Sequence, residues 1–216
     1  MGRLEKEEIN RKLLHILALV LPVFIFYGPS LLDLSRTVVS WVVCSAFLFS
    51  LAFDFLRLSQ TSLKAWFFVK FGSMLRVEEE SQLTGATYIL AGSFICSGIS
   101  LVGENLAASV FLCLTLFILG DAAAALVGKG FGRLKIGNKS LEGAVGCFLL
   151  CFLLSNFIFP YLPDFLQKWG GNYTMGNALM ISLAISLLEL FPIKFGRFTL
   201  NDNLYVPAVA SMLVLI

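Results

Sequence analysis

The sequence predicts an all-α integral membrane protein, a bundle of about seven transmembrane helices with its N-terminus in the cytoplasm. Three observations carry this. The 216 residues are 58% hydrophobic and only 14% charged, with mean hydropathy +0.86, whereas soluble domains carry about 25% charged residues. Apolar stretches long enough to cross a bilayer, about 20 residues each, recur along the chain. The cations between those stretches alternate between many and few, as the enrichment of cytoplasmic loops in Lys and Arg requires.

Taken in order, the first stretch (13–32) follows a tail carrying Arg3, Lys6, Arg11 and Lys12, and lacks a small-residue cleavage site. It reads as a retained span, not a signal peptide. Arg36 alone separates it from span two (37–56), and Arg57, Lys64, Lys70 and Arg76 follow that span. The connection "SLKAWFFVKFGSMLRVEEE" predicts an interfacial amphipathic helix, with Phe67, Phe71, Met74 and Leu75 on one stripe and Lys70, Ser73 and Arg76 opposite. Spans three (84–102) and four (106–127) are joined without a cation, and Lys129, Arg133, Lys135 and Lys139 precede span five (144–162). Lys168 leads to span six (177–195), and Lys194 and Arg197 to a shorter seventh (203–216) containing Pro207. Alternate loops total 14 cations against 2. The basic residues thus answer to the bilayer and no nucleic-acid partner is expected. Residues 1–216 read as one polytopic domain, and no repeat at a fixed period is visible. Cys44, Cys96, Cys113, Cys147 and Cys151 all fall inside spans without a CxxC pair, as packing residues do.

An aspartate near the middle of a membrane helix costs about 2.5–3.5 kcal/mol on insertion scales, so it faces a polar interior or a partner. Asp54, Asp121 and Glu189 lie in the last turns of spans running inward. His15, Thr84, Gly85, Glu142, Asp202 and Asn203 open their spans at the same level. Polar groups from separate helices gather at one depth, the cytoplasmic membrane surface. Asp121 is the deepest, about 10 Å inside the end of its helix at 1.5 Å per residue.

The stretch after it, "GDAAAALVGKGFGRLKIGNKSLEG", fails as a Walker A motif, because Asn138 interrupts the G-K pair and a membrane helix precedes it where a strand is required. Its physics still suits phosphate. Gly128, Gly130, Gly132 and Gly137 allow close approach of backbone amides, Lys129, Arg133, Lys135 and Lys139 supply charge, and Ser140 would open a helix whose N-terminus faces the loop.

"RKLLH" at 11–15, "LTGATYILAG" at 83–92, the block from Gly120 to Gly143, and the late acids of "LLELFP" and "NDNLYVP" resemble, in order and over nearly the whole chain, the CTP-dependent lipid kinases: dolichol kinase, the fungal diacylglycerol kinase and phytol kinase. The resemblance implies an integral membrane enzyme that moves the terminal phosphate of CTP to the hydroxyl of a membrane lipid alcohol, with Mg2+ or another divalent cation, at the cytoplasmic face. It implies that Arg11 and Lys12 lie near a phosphate, that Asp121 is catalytic or metal-binding, and that Gly128, Gly132, Lys139, Ser140 and Gly143 belong to the nucleotide loop. Lys129, Arg133 and Asn203 join that nucleotide set, with Lys139 as a second catalytic group. Phosphoryl transfer asks mainly for positioning and charge neutralisation, and Mg2+ takes one or two carboxylates besides phosphate and water. Asp121 is the first expected ligand, Glu142, Glu189 or Asp202 the second, and His15 a candidate base.

Phosphatidate cytidylyltransferase shares the central block but closes with an H-G-G…D-R-x-D signature. Here "GRFTLNDNLYVP" stands in that place and no histidine follows residue 15. A transporter or flippase would instead place its acids near the midplane with inverted-repeat symmetry; these acids cluster at one face.

Overall fold

The computed structural model of the protein describes residues 3–75, 77–196 and 198–213. Arg76 and Arg197 of the charge pattern lie outside the described residues. The chain is almost wholly helical. Helices α1 (Arg3–Leu17) and α2 (Val20–Leu31) are separated by a turn at Ala18 and Leu19. They precede α3 (Arg36–Ser59), α4 (Thr61–Phe71), α5 (Gly85–Ser100) and α6 (Glu104–Phe131). A hairpin of β1 (Lys135–Ile136) and β2 (Lys139–Ser140) leads to α7 (Leu141–Phe157), the short α8 (Phe165–Trp169) and α9 (Met175–Leu190). A second hairpin, β3 (Lys194–Phe195) with β4 (Phe198–Thr199), leads to α10 (Asp202–Met212).

Side chains cap the helix starts as the local sequence dictates. Ser35, Thr84 and Ser140 accept from the amides of Val38, Thr87 and Gly143 at α3, α5 and α7, and Thr174 and Asn177 form a reciprocal capping box at α9. At the centre of the bundle α6 touches α1, α2, α5, α7, α8, α9 and α10. Encirclement explains why its residues are apolar all round; Leu112, Leu114, Leu116, Phe117 and Ile118 are completely buried. About 15 Å along α6 from Asp121, at 1.5 Å per residue, Phe111 stacks on Phe26 and meets Phe159, which continues through Phe165 to Trp169 and Tyr173. This aromatic layer fills the bundle away from the polar site.

Among the described residues, four helical segments are long and apolar enough to cross a membrane: Asn10–Leu31, Arg36–Ser59, Glu104–Phe131 and Leu141–Tyr161. The expected seven are not all of that length. Helices α5 and α9 are apolar but have 16 residues each, about 24 Å against a core of about 30 Å, and α10 has 11. The stretch expected over 177–195 stops at Leu190 because Phe191 precedes Pro192, a position that disfavours helical backbone. The expected interfacial helix also ends early, at Phe71, where Gly72 begins a 3-10 turn. Met74 and Leu75 therefore do not extend its stripe; Phe67 and Phe68 face the Arg57 guanidinium while Trp66 and Val69 stand exposed.

The two hairpins are built alike, on the similar stretches "LKIGNKSL" (134–141) and "IKFGRFTL" (193–200). Lys135 pairs with Ser140 and Ile136 with Lys139; Lys194 pairs with Thr199 and Phe195 with Phe198. Each turns on a glycine in the left-handed region, Gly137 (φ 61°) and Gly196 (φ 60°), and each is closed by one further bond, Leu141 N–H to Leu134 O and Leu200 N–H to Ile193 O, both 2.9 Å.

Candidate active site

The fold brings residues of four helices, α1, α6, α9 and α10, together with one hairpin. On α6, Asp121 turns toward α1, where Lys12 Nζ donates to its Oδ2 at 2.5 Å and to its backbone oxygen at 3.2 Å. One turn along α1, His15 Nε2 lies 3.4 Å from the same Oδ2, with its ring edge-on to Phe117. From β2, Lys139 reaches Glu189 at the end of α9 (Oε1 2.6 Å, backbone O 2.5 Å) and Asp202 at the start of α10 (Oδ2 2.9 Å). Burial works to lower the pKa of the Lys139 ammonium, but the Asp202 and Glu189 carboxylates outweigh it and hold the group above its ordinary value.

Asp121, Glu189 and Asp202 can each offer one carboxylate oxygen, all within 4.8 Å of one another. Three hard oxygen donors, with Glu189 buried and two ammonium groups as counterions, fit a divalent cation of the Mg2+ type. The same lysines give the site a positive side toward which a polyphosphate can be drawn.

Other expected residues take different places. Glu142 accepts the Leu134 amide at 3.1 and 3.3 Å through its two carboxylate oxygens, fastening the hairpin to α7. Ser140 caps α7 and is surrounded by glycines. A methyl on Gly128 would lie 2.8 Å from Ser140 Oγ; one on Gly132 would lie 2.1 Å from the Gly128 carbonyl; one on Gly143 would lie 2.7 Å from the Ala124 carbonyl. These three glycines permit the α6–α7 crossing that holds Lys139 in place. Lys129 and Arg133 are exposed beside the hairpin, and Arg11 is half-buried next to Lys12. The Asn203 amide donates to Gly85 O at 3.5 Å, facing α5.

Asp54, which the sequence places at the same depth as Asp121, serves another purpose. Its Oδ1 receives two bonds from Arg57 and its Oδ2 three from Thr84 and Thr87, all within the buried interior. Gly120, which the sequence does not mark as part of the site, seats α6 against α7: a methyl there would lie 2.7 Å from Cys147 Sγ and 2.9 Å from Cys151 Sγ. A residue without a side chain directly before a membrane acid was the available signal.

The cytidylyltransferase family matches residues 1–192. An uncharacterized protein of Rickettsia prowazekii is 25% identical over 203 residues, covering 93% of this chain and 89% of that protein. A probable chloroplastic phytol kinase of Triticum aestivum is 32% identical over 104 residues, covering 44% of this chain and 32% of that protein. No solved structure matches.

Proposed function

The chain belongs to the cytidylyltransferase family, and we propose that within it the protein is a lipid kinase. It transfers the terminal phosphate of CTP, or another nucleoside triphosphate, to the hydroxyl of a membrane lipid alcohol (a polyprenol such as dolichol, diacylglycerol or phytol) at the cytoplasmic face of the bilayer. The observation that carries this reading is Lys139 held between Glu189 and Asp202, the acids of "LLELFP" and "NDNLYVP". That ending stands where a phosphatidate cytidylyltransferase carries its histidine-containing signature. The partial likeness to a probable phytol kinase supports the same reading.

A divalent cation held by Asp121, Glu189 and Asp202 would neutralise phosphate charge. Lys139 and Lys12 stabilise the negative oxygens of the triphosphate from opposite sides of the cluster, and the exposed Lys129 and Arg133 attract it from solution. The lipid oxygen forms a bond to the γ-phosphorus as the bond to the bridging oxygen breaks. Its proton passes to the His15 imidazole, whose protonated form the Asp121 carboxylate beside Nε2 stabilises, and CDP leaves.

The family match itself favours a second reading, cytidylyl transfer to phosphatidate. The two differ in the phosphorus attacked. Purified protein is incubated with α- or γ-labelled CTP, Mg2+, and either lipid alcohols or phosphatidate. Label from the γ position in the lipid, with CDP released, is the expected result. Label from the α position, dependent on phosphatidate and accompanied by pyrophosphate, overturns it.

A further inference from the structure

Two features singled out above take no part in the chemistry proposed: the stretch "LTGATYILAG" and the buried acid Asp54. They belong to one construction. Arg57 is completely buried; its Nε and Nη2 donate to Asp54 Oδ1 at 3.0 and 2.8 Å. Nη1 donates to the backbone oxygen of Glu79 (2.9 Å), and Nη2 also to that of Gln82 (2.8 Å). Asp54 Oδ2 accepts from Thr84 N–H, Thr84 Oγ1 and Thr87 Oγ1 at 2.8, 3.0 and 2.7 Å. Four of the five guanidinium N–H groups and both carboxylate oxygens are thus engaged, and the bonds that leave the pair converge on the first turn of α5 and the segment leading into it.

The helix fixed in this way carries the first turn of α10 on another of its faces. At Gly92 the Asn203 carbonyl oxygen lies only 2.2 Å from where a methyl would stand, and the Leu204 oxygen 3.1 Å. The cause lies within α10. Pro207 has no N–H to return to the Asn203 carbonyl four residues earlier, so that carbonyl turns outward, and only a glycine on α5 leaves it room. Two turns further toward the α5 N-terminus, Gly85 O receives the Asn203 amide at 3.5 Å. Asp202, the residue before Asn203, is the carboxylate that meets Lys139.

We propose that α5 is a positioning cradle for Asp202: Gly92 admits the first turn of α10, the Asp54–Arg57 pair holds the cradle at the right height, and together they set the Asp202 carboxylate in the cluster with Asp121 and Glu189. Gly92, Asp54 and Arg57 are positioning residues, acting through Asp202. The inference rests on reading that cluster as a divalent-cation site.

Mn2+ alone, titrated into the detergent-purified full chain and followed by electron paramagnetic resonance, reads the site without turnover. Gly92→Ala is expected to weaken Mn2+ binding by about 10- to 100-fold, the usual effect of disturbing a residue that orients a ligand. Asp202→Asn weakens it as well, and Gly92→Ala adds nothing further in the Asp202→Asn background. A merely structural glycine would act equally in both backgrounds, and that result overturns the cradle. So does unchanged Mn2+ binding in Gly92→Ala when Asp202→Asn binds weakly. Unchanged binding in Asp202→Asn, or none in the wild-type chain, overturns the site reading and the cradle with it. If Gly92→Ala does not fold, Thr87→Val, which deletes one bond to Asp54 at nearly constant shape, is read through the same cycle with the same outcomes.

Discussion

Lys12 reaches Asp121 across 109 residues of sequence, with Nζ 2.5 Å from Oδ2. With the His15 contacts to Asp121 and Phe117, it joins the first helix to the centre of the bundle, and it gives a membrane-embedded acid its counterion. Removing either partner therefore does more than delete a surface pair.

Asp121→Asn keeps the size of the side chain and removes its charge. The variant should insert and purify, while turnover falls by about 10²–10³, the usual cost of one preorganised electrostatic group. Near-normal turnover in a folded variant removes Asp121 from the mechanism.

Lys139→Ala should raise the nucleotide concentration needed for half-maximal rate at least tenfold. Lys168→Ala, whose ammonium sits 4.6 Å over the Phe26 ring in the distant aromatic layer, should leave it unchanged. The paired Lys139 ammonium titrates above its ordinary 10.5. Its contribution to stability is therefore fully present below that value and is lost only as pH rises through the higher folded-state value. Thermal unfolding of wild type and Lys139→Ala should converge only at strongly alkaline pH.

Arg57→Ala should destabilise the chain by about 3–5 kcal/mol, because it leaves the Asp54 carboxylate buried without its partner. Lys64→Ala breaks an exposed pair with Glu80 (3.4 Å, side chains 33% and 59% exposed) and should cost no more than about 1 kcal/mol. Thermal unfolding in detergent checks both. Equal effects would show that the Asp54–Arg57 pair does not carry the α3–α5 contact.

Gly143→Ala places a methyl 2.7 Å from the Ala124 carbonyl and should lower stability by about 1–3 kcal/mol through overpacking of α6 on α7. Gly130→Ala, with open space around it, should be tolerated. A Gly143→Ala protein that unfolds normally but fails to use nucleotide would assign Gly143 to phosphate contact instead of helix packing.

Reporter fusions test orientation. Fusions at residues 60 and 135 are expected on the cytoplasmic side, and fusions at 104 and 168 on the other. A fusion at 135 found outside would sink the proposed use of a cytosolic nucleotide.

Composition and period alone determined that this chain is a helical membrane protein, since an apolar run of bilayer length is legible wherever it occurs: α3, α6 and α7 lie close to where hydropathy puts them. Asp121 was equally legible, because an acid inside such a run has no local explanation. The glycines were legible as points of close approach, but their partners were not. The sequence suggests an anion, whereas Gly128 and Gly132 receive Ser140, and Gly143 the Ala124 carbonyl, where α6 meets α7 and the hairpin before it. Depth likewise failed to sort the acids. Asp54, Asp121, Glu142, Glu189 and Asp202 share one level, yet only tertiary structure gave Asp54 to Arg57, Glu142 to the Leu134 amide, and the other three to one another. The reason is geometric: sequence fixes how far along its helix a carboxylate lies, while the rotation and crossing of each helix against its neighbours decide which donor it meets.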